Sequence, residues 1–452
     1  MYKKSGLFKV VAILLVVILM GTACGAPAAQ QSAPPDVKPQ DNSAPPVQTD
    51  NTGSEAVDEI IIGALYPLTG PQAPMGTEVK NGVEFGVEIV NNAYPGINLP
   101  LAAEEGIPSL GGAKIKIVYG DTQSVPEKGM SLAEQILTSD NAVAIIGAFN
   151  SSVAATIAQV TERMEKVFLV PDCTSPSLTQ NNFKWFFRLT PDDVMFIGNM
   201  VGFLNDMNAE KNAGLKTVAI VNENSLFGQD FEKVARQLLS ENGYEVVEQI
   251  TYAANTVEVN SEVQKIKKAN PDVVLHATYV SDAILYMKTY KEQNFLPKVL
   301  LTNAGGFIDS SYFEVVGADG DYVVTRSVFS QDIGENKPII KEVNELYKQK
   351  YGHDMNEYSA RSFMGVIVMA DALNRAGTTE SHALREAMLA TDIPAEQIIM
   401  AWDGIKFDPE NGQNVLGKGL VGQIFDREIR TVWPFDLATV DVVYPMPGWG
   451  ER

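Results

Sequence analysis

The sequence predicts an α/β fold made of two doubly wound parallel-sheet units. Three observations predict it. Short apolar runs alternate with longer segments whose apolar residues recur at helical spacing, the signature of strands joined by covering helices. The alternation starts afresh after Thr190-Pro191, so it describes two units, each near ordinary domain size. Ahead of both, Gly25 to Ala56 is rich in Pro, Ala, Gln, Ser and Asp with almost no bulky apolar residue, and cannot offset its own ordering entropy.

Folded sequence begins near Glu59. Ile60–Leu65 reads as a buried strand and Thr77–Val90 as a helix. Ile115–Tyr119 and Ala142–Ile146 read as strands with a helix at Val125–Thr138 between them. Ser151–Met164 is a helix and Val167–Val170 the next strand. In the second unit Asp192–Asn205 is a helix and Thr217–Val221 a strand. Gln229–Glu241 (helix), Glu245–Thr251 (strand), Val259–Ala269 (helix), Val273–Ala277 (strand), Ser281–Glu292 (helix) and Lys298–Thr302 (strand) follow. Helices are expected at Lys337–Tyr351 and Arg361–Ala376. From about Ile405 the tail reads as strands joined by turns such as Asn411-Gly412.

The amino terminus reads as an export address. Lys3, Lys4 and Lys9 precede an unbroken apolar run from Val10 to Met20, followed by Gly21, Thr22, Ala23 and Cys24. A cysteine directly after small residues resembles the lipobox of bacterial lipoproteins, which implies a lipidated Cys24 and anchorage to a membrane facing the periplasm or cell exterior. The third position before the cysteine, usually Leu, is Gly21. An ordinary leader cleaved further along, near Ala26, Ala28 and Ala29, is the other reading.

The 452-residue chain carries a net charge of -21, and loses three more positive charges with the leader. Such a surface repels nucleic acid and anionic headgroups, so no nucleic-acid partner is expected. Two cysteines, Cys24 and Cys173, cannot make a disulfide framework or a thiolate zinc site. The three histidines, His276, His353 and His382, lack metal-binding spacing. His276, inside the run VVLHATY, reads as a satisfied core or cleft histidine. There is no GxSxG elbow and no phosphate loop. Gly417, Gly419 and Gly422 form a GxGxxG, but Val421–Phe425 after it looks like a strand and not the helix that a pyrophosphate needs. Asp408 to Gly412 resembles the start of a calcium loop, yet its twelfth position is Gly419 and not Glu, so a tight turn is expected. No cofactor, no metal and no enzymatic chemistry follow from these residues.

The informative places are loops after strands, where open α/β sheets bind ligands. Three are polar and rich in glycine or hydroxyls: Gly147–Ser152, Pro171–Pro176 and Asn222–Gly228. Ser151, Ser152 and Thr174, beside backbone N–H groups, suit a carboxylate. Each also has a plain structural use, as a helix cap or a turn former.

Several segments, in this order, resemble the leucine/isoleucine/valine-type solute-binding proteins of ABC transporters. They are Ile61–Gly70, Ala144–Gly147 with Ser151-Ser152, Pro171–Thr179, Phe187-Arg188, Val218–Val221 with Phe227-Gly228, Ile405–Asp408 with Asn411-Gly412, and Val432–Pro434. The resemblance implies a type I periplasmic-binding fold: two lobes joined by three crossovers, near Leu189–Asp192, Arg326–Gln331 and Thr391–Asp403, closing on a ligand. It implies a leader at 1–23, a lipidated cysteine and tether at 24–57, a first lobe from 58–189 and 328–395, and a second from 190–327 and 396–452. It also implies capture of an amino acid or similar small carboxylate and its delivery to an ABC permease. Carried over residue by residue, the ligand carboxylate falls to Asn150, Ser151 and Ser152. Cys173 and Thr174 follow in the next loop, and the aromatic walls fall on Phe227, Tyr279 and, in the first lobe, Met75. The acid that pairs with a ligand ammonium is expected within Asn303–Phe307, and none is there. Either Asp172 or Glu223 replaces it, or the ligand lacks an ammonium. The alternatives are a ligand sensor on the same fold that regulates a partner, an enzyme, and a structural surface lipoprotein.

Overall fold

The computed structural model describes residues 58–452; the expected leader, Cys24 and the tether lie outside the described residues. The first stretch runs β1 (Glu59–Tyr66), α1 (Ala73–Asn91), β2 (Lys114–Asp121), α2 (Pro126–Thr138), β3 (Ala144–Gly147), α3 (Ser151–Arg163), β4 (Val167–Val170) and β5 (Phe186–Arg188). Its five strands form one parallel sheet in the order β2-β1-β3-β4-β5. The chain then makes α4 (Asp193–Glu210), β6 (Thr217–Glu223), α5 (Leu226–Glu241), β7 (Glu245–Tyr252), α6 (Asn260–Ala269) and β8 (Val273–Ala277). α7 (Val280–Glu292), β9 (Val299–Thr302), α8 (Ser310–Val316) and β10 (Val324–Ser327) complete this stretch. After α9 (Pro338–Tyr351), α10 (Glu357–Ala376) and α11 (Ser381–Leu389) come β11 (Asp392–Pro394), β12 (Gly404–Lys406), β13 (Leu420–Phe425) and β14 (Glu428–Trp433). The second sheet has the order β14-β13-β10-β9-β8-β6-β7. It is parallel from β7 to β10, and β13 and β14 add an antiparallel edge.

Burial explains the pattern read from the sequence. β3, β4 and β8 are covered on both faces and every residue is buried, as continuous apolar runs require. The edge strands β2 and β7 are partly exposed and carry charges. α10 starts with a capping box, Asn356 with Ser359, and stops at Gly377, which has φ 62°. It lies across α1: Ser362 Oγ donates to Val79 O at 2.9 Å, and a Cβ at Gly82 would come within 2.2 Å of Ser359 O, so glycine permits the contact.

The chain passes from the first sheet to the second after β5, returns after β10, and passes again before β13. The third passage differs from the expected Thr391–Asp403. β12 pairs with β11, and Arg188 N–H on β5 donates to Gly412 O at 2.8 Å, so the chain stays beside the first sheet until about Asn414. Gly417 then lies against Pro191, and Gly419 against Asn199 of α4. Five elements escaped the sequence reading, the three-residue β11 among them. β5 has three residues. β10, Val324–Ser327, is short and carries the buried Arg326, which breaks its apolar run. α8 and α11 are short. The GxGxxG runs into strand β13, and Asp408 to Gly412 is a turn closed by Gly412 N–H to Asp408 O at 2.8 Å. Among the described residues no helix is long and apolar enough to cross a membrane.

Candidate functional site

The carboxyl ends of both sheets face one another, and their loops enclose a cavity of about 20 Å³, room for about one water. Phe149, Ser151, Asp172, Cys173 and Thr174 reach it from the loops after β3 and β4, and Tyr358 and Arg361 from α10. Phe227 from α5, Tyr279 before α7, Gly305 after β9 and Arg326 on β10 close the other side. Rings line it in series: Phe227 to Tyr279 at 5.4 Å, Tyr279 to Phe149 at 5.8 Å and Phe149 to Tyr358 at 5.2 Å between centroids. Tyr358 O–H also donates to Gly305 O across the cleft.

Of the residues singled out from sequence, Ser151, Cys173, Thr174, Phe227 and Tyr279 line this cavity. Asn150 stands just behind it, buried. Its amide donates to Gln72 Oε1 at 2.6 Å and its Oδ1 has no partner. Ser151 begins α3, whose free N–H groups suit an anion. Thr174 Oγ1 is buried without a partner. Cys173 Sγ donates to Ala148 O at 3.0 Å, and burial pushes its thiol well up. Ser152 and Met75 are not brought to the cavity. Ser152 is half-buried on α3, and Met75 is wholly buried in the core on α1. Met75-Gly76 and Phe227-Gly228 are matching positions, for a Cβ at either glycine would lie 1.9 Å from a carbonyl, Pro67 O or Glu223 O. The connections differ, however: residues 67–72 separate β1 from α1, and only 224–225 separate β6 from α5. Met75 lies in the core.

Sequence reasoning missed the charges. Arg326 on β10 donates to Glu357 on α10, and its Nε donates to Asn303 Oδ1 at 3.1 Å. Glu357 also accepts from Ser327 Oγ at 3.0 Å and Val328 N–H at 3.1 Å. Arg361 lies 3.5 Å from Glu357 and 3.3 Å from Asp172. The available sign was a Glu and an Arg one turn apart on a long helix whose residues are mostly buried. Of the two acids weighed as replacements, Asp172 lines the cavity and Glu223 does not. Burial, opposed by Arg361, pushes Asp172 up to about 7. Burial pushes Glu223 to about 7 against its bond from Ser225. His276 is a satisfied core residue: its nitrogens lie 2.8 Å from Thr278 Oγ1 and from Tyr290 Oη, and burial brings it down to about 3.

Residues 59–424 match the model of the periplasmic binding protein family. A Leu/Ile/Val-binding protein homologue of Brucella abortus (strain 2308) is 29% identical over 395 residues, 86% of this chain and 94% of that protein. A leucine-binding protein of Thermotoga maritima MSB8 has the same fold, with a TM-score of 0.71 at 20% identity over 83% of this chain and 99% of that one. So does an ABC-transporter solute-binding protein of R. palustris in complex with benzoate, with a TM-score of 0.69 at 19% identity over 83% of this chain and 95% of that one. With most of its length inside the family model, the chain belongs to the periplasmic binding protein family, a family of exported solute-binding proteins and not of enzymes.

Proposed function

We propose that the protein is the extracytoplasmic receptor of an ABC transporter, capturing an amino acid or a related small carboxylate between two closing lobes and presenting it to a membrane permease. The observation that carries this reading is the cavity walled by the carboxyl ends of both sheets. The lobes are 58–189 with 328–416, and 190–327 with 417–452; the last boundary moves from 395 because the turn at Gly412 is bonded to β5. The cavity is too small for an amino acid, so capture requires the lobes to part and close again. The N–H end of α3, with the hydroxyls of Ser151 and Thr174, holds the carboxylate, and Asn150 braces the loop. Phe227 and Tyr279 cover the apolar part, and Cys173 is a wall. Leucine and benzoate, named for two of the similar structures, share a carboxylate. Cys24 carries the lipid that tethers the receptor.

Thermal-shift screening against amino acids, short carboxylates and aromatic acids tests the reading. A true ligand at about a hundredfold excess over its dissociation constant adds about 2.7 kcal/mol to the folded state, and Thr174→Val weakens it about tenfold. No shift with any of the three classes overturns the substrate assignment. Labelling with a fatty-acid analogue that persists in Cys24→Ala overturns the anchor.

A further inference from the structure

A second hollow, of about 620 Å³, lies at the two later passages between the sheets and shares no wall residue with the cavity described above. The segment from β10 into α9 supplies Lys337 and Ile339, and the segment between β11 and β12 supplies Glu396 and Trp402. Leu420 on β13 and Leu437 beyond β14 close it from the second sheet. Ala401 N–H donates to Val328 O at 3.1 Å, so the two passages meet beside it. Trp402 and Leu420 are buried, whereas Leu437 is 52% exposed. Two groups of this wall carry unused donors. The Trp402 indole N–H is buried without a partner. The Lys337 ammonium donates to Met400 O at 2.6 Å and has two further N–H groups to give. Burial, opposed by Glu396 and Asp403, brings Lys337 down to about 8, as suits an ammonium short of partners. The charges around the hollow decide what relieves these donors. Glu342 and Glu396 stand exposed in the wall and Asp403 faces Lys337, so an added anion meets three carboxylates against one ammonium. A cation brings further donors to a place that already has donors to spare.

We propose that this hollow is a second small-molecule site, taking an uncharged amphiphile that sets a carbonyl or other acceptor oxygen against Lys337 and Trp402 and its apolar body between Ile339, Leu420 and Leu437. Buried donors without partners are costly, and an acceptor oxygen relieves them without adding a charge beside the carboxylates. The volume suits a small organic molecule, which the cavity of about 20 Å³ does not admit. The occupant touches both sides of the third passage, because Lys337 and Trp402 precede it and Leu420 and Leu437 follow it. Filling the hollow therefore favours the present position of the sheets, and by linkage it alters capture in the cavity between them. The site itself stands apart from the receptor reading, for it needs nothing bound in that cavity.

Fluorescence titration of the full chain tests this with two naphthalene probes: Prodan, uncharged and bearing a ketone, and 1-anilinonaphthalene-8-sulfonate, an anion. The variants are Leu437→Asp, Trp402→Phe and Val257→Asp, the last a control on an apolar side chain exposed outside this wall. The expected result is a single saturable Prodan site with blue-shifted emission, and binding of the sulfonate at least about tenfold weaker. Leu437→Asp weakens Prodan about tenfold or more, Trp402→Phe about fivefold, and Val257→Asp leaves it within about twofold. Prodan binding that Leu437→Asp does not weaken places the probe elsewhere and overturns the proposal. Tighter binding of the sulfonate than of Prodan overturns it too, as does the lack of any saturable Prodan site. Prodan affinity that falls as the chain dimerises in sedimentation gives the hollow to a second copy and is equally fatal. Leu437 is exposed, so the decisive variant keeps its fold even if Trp402→Phe does not. All of these outcomes leave the capture of a ligand between the sheets where it stood.

Discussion

Glu357→Gln is the most diagnostic change to stability. Asp172, Arg361, Glu357 and Arg326 form a buried line of two guanidiniums and two carboxyl groups. Glutamine keeps the volume but leaves two guanidiniums facing one carboxylate, and turns an N–H₂ toward Arg326, Ser327 or Val328, all of which donate to Glu357. Breaking a buried pair in this way costs about 3–5 kcal/mol. A folded unit of about 400 residues has an unfolding entropy near 0.8 kcal/mol/K, so the midpoint should fall by about 4–6 °C. Scanning calorimetry without ligand measures it. The double variant Arg326→Met with Glu357→Met leaves Arg361 opposite Asp172, one charge of each sign, and should regain at least about half of the loss. A single variant within about 1 °C of the native protein, or a double variant worse than the single one, would refute the view that charge balance holds this line together.

Three further outcomes follow from the same coordinates. Gly228→Ala places a Cβ 1.9 Å from Glu223 O, a backbone atom, and should cost about 1–3 kcal/mol or more while displacing Phe227; Gly198→Ala, which meets nothing within 4 Å, is the control and should be neutral or stabilising in a denaturant titration. Burial raises Glu78, Asp172 and Glu223 to about 7 and Asp193 and Asp282 to about 6, so the folded state holds protons that the unfolded state, with carboxyls near 4, has lost. Their stabilisation is complete at low pH and fades as pH rises toward 7, while His276 opposes it below about 6.5; five groups outweigh one, and the melting temperature should climb from pH 7.5 to 5.5, a flat or falling profile being the contrary result. In Cys24→Ser, Cys173 is the sole thiol, and its burial and raised pKa should make alkylation by iodoacetamide at least about a hundredfold slower than in urea, slower still with ligand; labelling at the rate of a free thiol would contradict the closed wall.

How much the sequence disclosed depends on where each signal lies along the chain. β4 and β8 were readable to the residue because burial on both faces leaves an apolar run with sharp ends. Ser151, Thr174 and Phe227 were readable because they sit directly after such runs, where topology alone brings loops together. The charged line was not readable. Arg361 meets Asp172 across 189 residues of sequence, and α10 presents itself as plain core helix once Glu357 is left outside its start. The misplacement of Met75 has a different origin. The glycine after it meets a carbonyl as closely as the glycine after Phe227, so the local motif is shared, yet the loops before the two helices differ in length and Met75 lies in the core.

The rings show what a ligand must displace. Of the three ring contacts at the cavity, only Phe149 to Tyr279 joins side chains from opposite sheets; the others lie within one lobe. That contact, the Tyr358 bond to Gly305 O, the bonds from Ser175 and Ser177 to Asp230 and the Arg326–Glu357 pair hold the lobes together around a space of about 20 Å³. A ligand must therefore replace them as well as bind, and its apparent affinity is lowered by the fraction of molecules that stand closed without it. The same closed state keeps Asp172 against Arg361 and away from water, where an exposed carboxylate would attract any passing cation. The cost in affinity and the gain in selectivity have one structural source: only a molecule that offers an apolar body in place of the ring contact recovers what opening gives up.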